Sequence, residues 1–334
     1  HFFEVELQSV VRLGNDVLLN ETAVESFISQ TCPVPYSPKF SLKGELEALL
    51  RKQKICTGYK LTLADDFNDA RLIFRPYRDQ FKLSENESDE ITGIDYFEID
   101  GVDGDISAIG WIFLQDYKGI LPAVHNIRGI RVRAGNTQIG EESILTHSFP
   151  EPRFNSWSIG EIHVLEQKMS PNGRRDNFDN NQHWLTLQNQ FAAHGKLIAK
   201  VCRKNSSERN AVKRFRAEAL RTEQVHRVLA SGNLAKSKAG QIQMELDGNL
   251  LNLAKLGAAS QISDKYKKEV QSTISQLSSK FRSTRKLGLV ENDIFQAIPV
   301  SKVPTVKEVF GLIYECSPNK VVAQSLIDKI LEQY

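Results

Sequence analysis

Two adjacent arginines, Arg174 and Arg175, stand in the segment SPNGRRDNFDNN together with Asn172. Arginine suits phosphate because its planar guanidinium donates two parallel hydrogen bonds and keeps its charge at neutral pH. The segment follows the apolar run IGEIHVL and precedes a helical pattern, so we expect these side chains on a turn after a strand. Residues of these types in this position predict contact with a phosphate group.

The same turn also has a purely structural interpretation. Arginines on an exposed turn commonly form local ion pairs with acidic neighbours, and such pairs contribute little to stability. Asp176 and Asp179 are close enough in the sequence to be those neighbours. The arginine pair alone does not decide between the two interpretations.

The order of segments before this turn provides a second observation. From Asn126 the chain reads NIRGIRVRAGNTQIG, then an acidic stretch that ends near a Phe-Asn pair, then IGEIHVL, and finally the pattern Asn-x-x-Arg-acidic. This order resembles the middle domain of the ninety-kilodalton heat-shock chaperones. More broadly, it resembles the transducer domain of the GHKL ATPases, which include DNA gyrase B, MutL and MORC proteins. The resemblance covers residues 1–181.

This resemblance implies part of an ATP-dependent conformational machine. The family carries an arginine that reaches into a partner domain and touches the γ-phosphate of ATP, and the matching position here is Arg175. Arg174 is the alternative, since the doubled arginine departs from the family pattern, and Asn172 is expected to assist. The implied cofactors are ATP and Mg²⁺. The implied fold is a transducer-type, ribosomal-protein-S5-like domain of sheet and helices.

The family's nucleotide pocket is not encoded in this chain. That pocket needs an Asn and a Glu on one helix, a D-x-G-x-G loop and a glycine-rich lid, and no segment supplies the set. Asp103, Gly104 and Asp105 come nearest, but they lie between two strand patterns and predict a hairpin turn. A P-loop is also missing from the sequence. ATP is therefore not expected to bind tightly to this chain alone.

The first residues of the chain also resemble this family. Phe3, Val5 and Leu7 alternate with polar residues and predict a strand. This strand resembles the last one of the family's ATP-binding domain. We expect the chain to be the C-terminal part of a longer ATPase, with an upstream ATP-binding domain as its partner and without turnover by itself.

Residues 1–181 predict an α+β domain with a mostly antiparallel sheet. Hairpin-length turns such as GVDGD join adjacent strand patterns, which favours antiparallel neighbours. Helices are expected near Glu21–Thr31, where prolines follow, and near Leu42–Gln53. The strand patterns are KLTLA, ARLIFRPY, TGIDYFEID, ISAIGWIFL, GIRVRAGN and SIGEIHVL.

Beyond residue 181 the pattern becomes helical. Apolar residues recur at steps of three and four, first from Trp184 to Ile198 and then in a next segment from Val212 to Leu229. A third, longer helix is expected over Gln241–Arg285. These segments predict a basic helical hairpin or coiled-coil region over residues 182–290, whose apolar seam either packs within the chain or pairs two copies in a homodimer.

Residues 291–334 predict a small C-terminal helical element. Its sequence divides into two helices at Ser317 and Pro318. Serine is a common helix cap and proline is tolerated in a first helical turn, so we expect the second helix to begin there.

The charge of the chain is divided unevenly. Residues 182–334 carry 24 Lys and Arg against 13 Asp and Glu, whereas residues 1–181 carry 19 against 28. A basic region attracts acidic partners. The alternative function is therefore a module that binds DNA or an acidic protein through Lys213, Arg214 and Arg216, although a solvated helix face gives the same pattern.

The composition also bears on whether the chain contains membrane spans, metal sites or disulfides. There is no apolar run of about 18 residues, so no membrane span is predicted. The four cysteines lack C-x-x-C spacing, and we therefore predict no metal site, no disulfide framework and reduced thiols in a cytoplasmic protein.

Overall fold

A computed structural model describes residues 6, 8, 20–64, 70–231, 236–286, 295 and 298–331. The predicted strand with Phe3, Val5 and Leu7 lies outside the described residues. The chain divides into two compact units, residues 1–205 and residues 206–334. Within the described ranges, no helix is long and apolar enough to cross a membrane. All four cysteines are free thiols.

The first unit begins with two helices, α1 (Glu21–Thr31) and α2 (Lys43–Lys52). Helix α1 starts where the Asn20 side chain accepts a hydrogen bond of 3.0 Å from the amide of Ala23, which satisfies one of the free amides of its first turn. It ends before the prolines, as predicted. Two small antiparallel sheets follow, formed by β1 (Thr62–Leu63) with β2 (Arg71–Leu72) and by β3 (Gln80–Lys82) with β4 (Ser88–Glu90).

The main sheet has five strands in the order β5-β6-β9-β7-β8. Strands β7 and β9 run parallel and the other neighbours run antiparallel. The predicted α+β fold with a mostly antiparallel sheet is therefore confirmed, and Asp103–Asp105 form the predicted turn between β5 and β6. The strands are β5 (Gly93–Asp100), β6 (Ile106–Leu114), β7 (Gly129–Ala134), β8 (Thr137–Ile139) and β9 (Ile159–Val164).

Both faces of this sheet are covered, which explains why β6, β7 and β9 are buried along almost their whole length. One face packs against the start of α3 (Gln182–Ala230), with Phe191 and Trp184 in a core that also contains Ile162 of β9. The opposite face packs against α2 and the segments around Tyr36 and Tyr77. Strand β9 thus lies in the middle of a three-layer unit.

The helical region differs from the prediction at two points. The two expected helices from Trp184 to Leu229 are one continuous helix, α3, because the sequence between the two apolar stretches contains no proline or glycine to end it. The boundary between the two units falls inside α3.

The expected single helix over Gln241–Arg285 is instead two helices, α4 (Lys236–Gly257) and α5 (Asp264–Lys286). Helix α4 ends at a glycine, and α5 packs so close that a Cβ on Gly257 would lie 2.7 Å from the Val270 side chain. Leu253 and Val270 share one core with Phe215 of α3. Burial of the two apolar seams against each other outweighs the extension of one helix.

Two further helices, α6 (Val303–Cys316) and α7 (Lys320–Leu331), confirm the predicted division near Ser317. The predicted cap is wrong, however. The Asn319 side chain accepts the hydrogen bond from the amide of Val322 at 2.9 Å, so the helix begins after Pro318 and asparagine takes the capping role.

Candidate functional site

The turn with the two arginines closes on itself six residues after the end of β9. Pro171 and Phe178 form an antiparallel bridge across its base. Inside the turn, the amide of Asn172 donates to the carbonyl of Asn177 at 2.9 Å, and the amide of Arg175 donates to the carbonyl of Asn172 at 3.0 Å. We call residues 171–178 the arginine turn. Its backbone is ordered by its own hydrogen bonds.

A buried aromatic contact holds the end of the arginine turn on the core. The ring of Phe178 lies 4.7 Å from the ring of Trp184 in the first turn of α3, and both side chains are buried. Residues 165–170 join the beginning of the turn to the end of β9. The turn is therefore attached at both ends to the sheet and helix of the first unit.

The two arginines have different surroundings. Arg174 forms an ion pair with Asp176, with 2.5 Å between Nη2 and Oδ2, as the structural interpretation predicted. The other carboxylate oxygen of Asp176 accepts from the amide group of Asn172 at 2.7 Å. These two contacts, the one from Asn172 foremost, lower the pKa of Asp176. Arg175 is exposed, and its guanidinium has no ion-pair partner among the described residues.

The backbone of Arg175 has a left-handed conformation, with a φ of 56°. For a residue with a side chain this conformation is uncommon and costs about 1 kcal/mol or more, and such residues concentrate at functional sites. The carbonyl of Arg175 accepts a hydrogen bond of 2.9 Å from the amide of Gly140. An outside contact therefore supports the turn at its most strained residue.

Gly140 belongs to a chain of hydrogen bonds that leads into the core. Buried Arg131 donates to the side-chain oxygen of Gln138 at 2.9 Å, and the Gln138 amide group donates to the carbonyl of Gly140, also at 2.9 Å. Gly140 has a φ of +66°, and a Cβ on it would lie 2.7 Å from the carbonyl oxygen of Asp176. Only glycine fits this close approach.

A charged cluster is buried in the sheet. The carboxylate of Glu161, on β9, accepts from Nε of Arg133 at 2.8 Å and from the Tyr77 hydroxyl at 2.9 Å. The Tyr36 hydroxyl donates to it at 3.2 Å, and Arg75 forms an ion pair with the same oxygen. Glu161 and its two arginines are almost completely inaccessible to solvent.

The charges in this cluster stabilise one another. Burial alone would raise the pKa of Glu161, but Arg133 and Arg75 outweigh it and hold that pKa well below its usual range. His163, two residues along β9, has its Nε2 3.2 Å from the Glu161 carboxylate and its ring stacked on Trp111. Burial lowers the pKa of His163 to about 4. His163 is therefore neutral at pH 7 and donates its Nε2 proton to Glu161.

The basic residues predicted for nucleic-acid binding lie in the second unit, on α3. Lys213 and Arg214 are exposed, and within the described part of the chain Arg214 makes a single long hydrogen bond, of 3.4 Å, to the carbonyl of Asn210. Arg216 differs, because it binds Glu269 of α5 through two contacts of 2.8 and 2.9 Å. Two of the three predicted cations remain accessible to an acidic partner.

Comparison with known proteins yields no relative: no protein-family model matches the chain, and neither a curated protein nor a solved structure is significantly similar to it. The structure of the arginine turn and its supports is therefore the basis for a functional proposal.

Sequence reasoning identified the arginine turn but not the buried cluster around Glu161. A signal was present, because Arg131 and Arg133 interrupt the apolar strand GIRVRA and Glu161 interrupts IGEIHV. Opposite charges inside two buried strands indicate that the strands are neighbours, since an unpaired buried charge is costly. Arg75, by contrast, lies in the strand pattern ARLIFRPY, of which only Arg71–Leu72 forms β2, and that pattern does not indicate Glu161 as its partner.

Gly140→Ala should loosen the arginine turn, because a methyl group there collides with the carbonyl of Asp176. Hydrogen-deuterium exchange of peptides that cover residues 171–178 measures this, and we expect faster exchange than in the wild type. Gly173→Ala is the matched control, since a Cβ on Gly173 meets no atom within 4 Å. Equal exchange in both variants would show that Gly140 does not position the turn.

His163 should make the first unit lose stability in mild acid. Its pKa of about 4 when folded lies below the usual histidine pKa of 6.5, so between these pH values the unfolded chain binds a proton that the folded chain does not. The free energy of unfolding should fall by about 2 kcal/mol from pH 7 to pH 5 through this residue. His163→Gln should remove that loss.

Urea denaturation followed by tryptophan fluorescence provides the measurement, because all three tryptophans, Trp111, Trp157 and Trp184, are in the first unit. His147→Gln, at an exposed histidine, is the control and should keep the wild-type pH dependence. A pH dependence that persists in His163→Gln contradicts the assignment.

Proposed function

We propose that this chain is the transducer part of a GHKL-type ATPase and relays the nucleotide state of a separate ATP-binding domain. In this proposal Arg175 contacts the γ-phosphate of ATP, whose Mg²⁺ is held with the nucleotide by that other domain. The resemblance of residues 126–178 to the middle domain of the ninety-kilodalton heat-shock chaperones suggested the role. The surroundings of Arg175 support it.

The observation that carries the proposal is that only one of the two arginines is neutralised by an acidic partner. Asp176 neutralises Arg174, whereas Arg175 keeps an exposed guanidinium without an ion-pair partner in the described part of the chain. An unneutralised guanidinium on a supported backbone can stabilise the charge that develops during phosphoryl transfer. Hydrolysis would remove this contact and allow the domains to separate.

The backbone supports the same assignment. A left-handed residue costs free energy unless its surroundings hold it, and here the hydrogen bond from Gly140 contacts the carbonyl of Arg175 itself. The two glutamine contacts that continue from Gly140 to Arg131 join this support to the buried layer of β7. Such a connection gives a contact at Arg175 a physical route to the rest of the domain.

The test is ATP turnover by the native protein with its ATP-binding domain. Arg175→Ala should lower kcat at least about tenfold and leave nucleotide affinity unchanged, because the lost contact acts in the transition state. Arg174→Ala should change kcat by less than about threefold, since its partner is Asp176.

Arg78→Ala is the matched control, because Arg78 is also exposed and lies far along the chain from the turn. A selective loss in Arg175→Ala supports the assignment. Undiminished turnover in both turn variants, or the absence of ATPase activity from the native protein, would refute it.

The exposed Lys213 and Arg214 favour a second candidate function, the binding of nucleic acid by the basic second unit. Such binding weakens steeply with salt, because each phosphate contact releases counterions. Lys213→Ala combined with Arg214→Ala should weaken binding to a DNA duplex and lower the salt slope by about 2. Arg216→Ala should have less effect, since Glu269 already neutralises that side chain.

Fluorescence anisotropy with a labelled duplex at several salt concentrations measures both quantities. Lys39→Ala, at an exposed lysine of the first unit, is the control. A salt slope that does not change in the double variant would exclude these residues as phosphate contacts.

A further inference from the structure

Three potential metal ligands from separate segments meet at the base of the arginine turn. Asp103 comes from the turn between β5 and β6, Glu166 follows β9, and His183 lies in the first turn of α3. One ligand atom of each residue lies within 4.8 Å of the other two. An imidazole and two carboxylates therefore converge on one point.

Backbone contacts hold two of these ligands in place. One oxygen of Glu166 accepts from the amide of Lys168 at 3.0 Å, which leaves its other oxygen directed towards His183. Asn181 caps α3 by accepting from the amide of Trp184 at 3.0 Å, and its amide group donates to the carbonyl of Lys168 at 2.8 Å. The start of α3, with His183, is thus tied to the segment that follows Glu166.

A buried atom without a partner distinguishes this cluster from a chance group of acidic residues. His183 is only 8% exposed, and its Nδ1 has no hydrogen-bond partner among the described residues. This nitrogen lies 3.8 Å from the Glu166 carboxylate, too far for a hydrogen bond. A buried ring nitrogen in this position needs a water or an ion to satisfy it.

We propose that Asp103, Glu166 and His183 bind a divalent transition-metal ion, and that Zn²⁺ suits them best. Zinc accepts imidazole and carboxylate ligands together, whereas Mg²⁺ and Ca²⁺ favour oxygen ligands alone. At bond lengths of about 2.1 Å, tetrahedral ligand atoms lie about 3.4 Å apart. The observed 3.8 Å between His183 and Glu166 is close to this spacing, and the 54% exposed Asp103 side chain is free to move inwards.

Lys168 competes with the ion. Its Nζ lies 2.7 Å from a carboxylate oxygen of Asp103, and both side chains are more than half exposed. An exposed pair of this kind is weak and opens readily. The metal ion replaces the lysine charge at Asp103, and Lys168 turns into solvent.

The ion would act on the arginine turn. Glu166 precedes the turn and His183 follows it, so a metal bound by both closes the segment that carries Arg174 and Arg175. The turn would then be attached by a coordination bond at each end, in addition to the packing of Phe178 on Trp184 and the hydrogen bond from Gly140 to Arg175. This role does not depend on the proposed ATPase function.

The test is calorimetric titration of the metal-free chain with Zn²⁺, supported by the absorption spectrum of bound Co²⁺. One ion per chain is expected. His183→Gln and Glu166→Gln should each weaken binding at least about tenfold, since loss of even a supporting residue often costs that much. His147→Gln and Glu98→Gln, at exposed positions, are matched controls and should bind as the wild type does.

A variant with the opposite effect keeps the test independent of folding defects. Lys168→Met removes a competing cation and should tighten binding about threefold or more. Hydrogen exchange of residues 171–178 should also slow when Zn²⁺ is added.

Three results would overturn the proposal: no stoichiometric binding, equal affinity in His183→Gln, or no tightening in Lys168→Met. The Co²⁺ spectrum provides a fourth result that would contradict it. Cys56 and Cys316 are exposed, and a thiolate charge-transfer band would place the ion there.

Discussion

The first unit depends on the neutralisation of one buried carboxylate. Glu161 lies in the middle of β9, with strands on both sides and packed layers above and below. A lone charge in such a place would cost several kcal/mol, and the cost is offset only because Arg75 and Arg133 approach from different segments and two tyrosine hydroxyls complete the hydrogen bonds. The pairing therefore requires that β7, β9 and the segment around Arg75 take one register. A shift of one residue would point every charge into an apolar core.

The cluster holds more positive than negative charge. Glu161 faces two arginines, and Arg131 beside them is buried with glutamine and carbonyl oxygens as its partners. Arg133 similarly donates to the carbonyls of Gln30 and Asn136. Oriented carbonyl dipoles thus solvate the excess cations, which ties α1 and the β7–β8 turn to the sheet. The contacts of Gln138 and Gly140 extend from this rigid layer to the arginine turn. A charged side chain is positioned more precisely by a rigid layer than by a loop alone.

Local patterns predicted the parts of the fold that depend on local physics. The end of α1 and the hairpin between β5 and β6 follow from prolines and a short polar turn, both of which are visible in the sequence. Errors occurred where distant contacts decide. Whether the chain continues or reverses near Gly257 depends on the burial of Val270 against it.

The exposed arginine pair could be found from residue type and spacing, but the difference between Arg174 and Arg175 depends on backbone conformation. No short sequence motif marks Asp103, Glu166 and His183, because the three residues come from separate segments that only the fold brings together.

The strain at Arg175 makes the most sense if the turn has to present a side chain rather than merely connect two elements. A connection between β9 and α3 that needed a left-handed residue would be cheapest with glycine, and Gly173 lies only two positions away. The chain instead has an arginine at the strained position and supports its carbonyl with Gly140. A left-handed residue directs its side chain differently from its helical or extended neighbours. Among the described residues, Asp176 forms an ion pair with Arg174 and none is recorded for the left-handed Arg175.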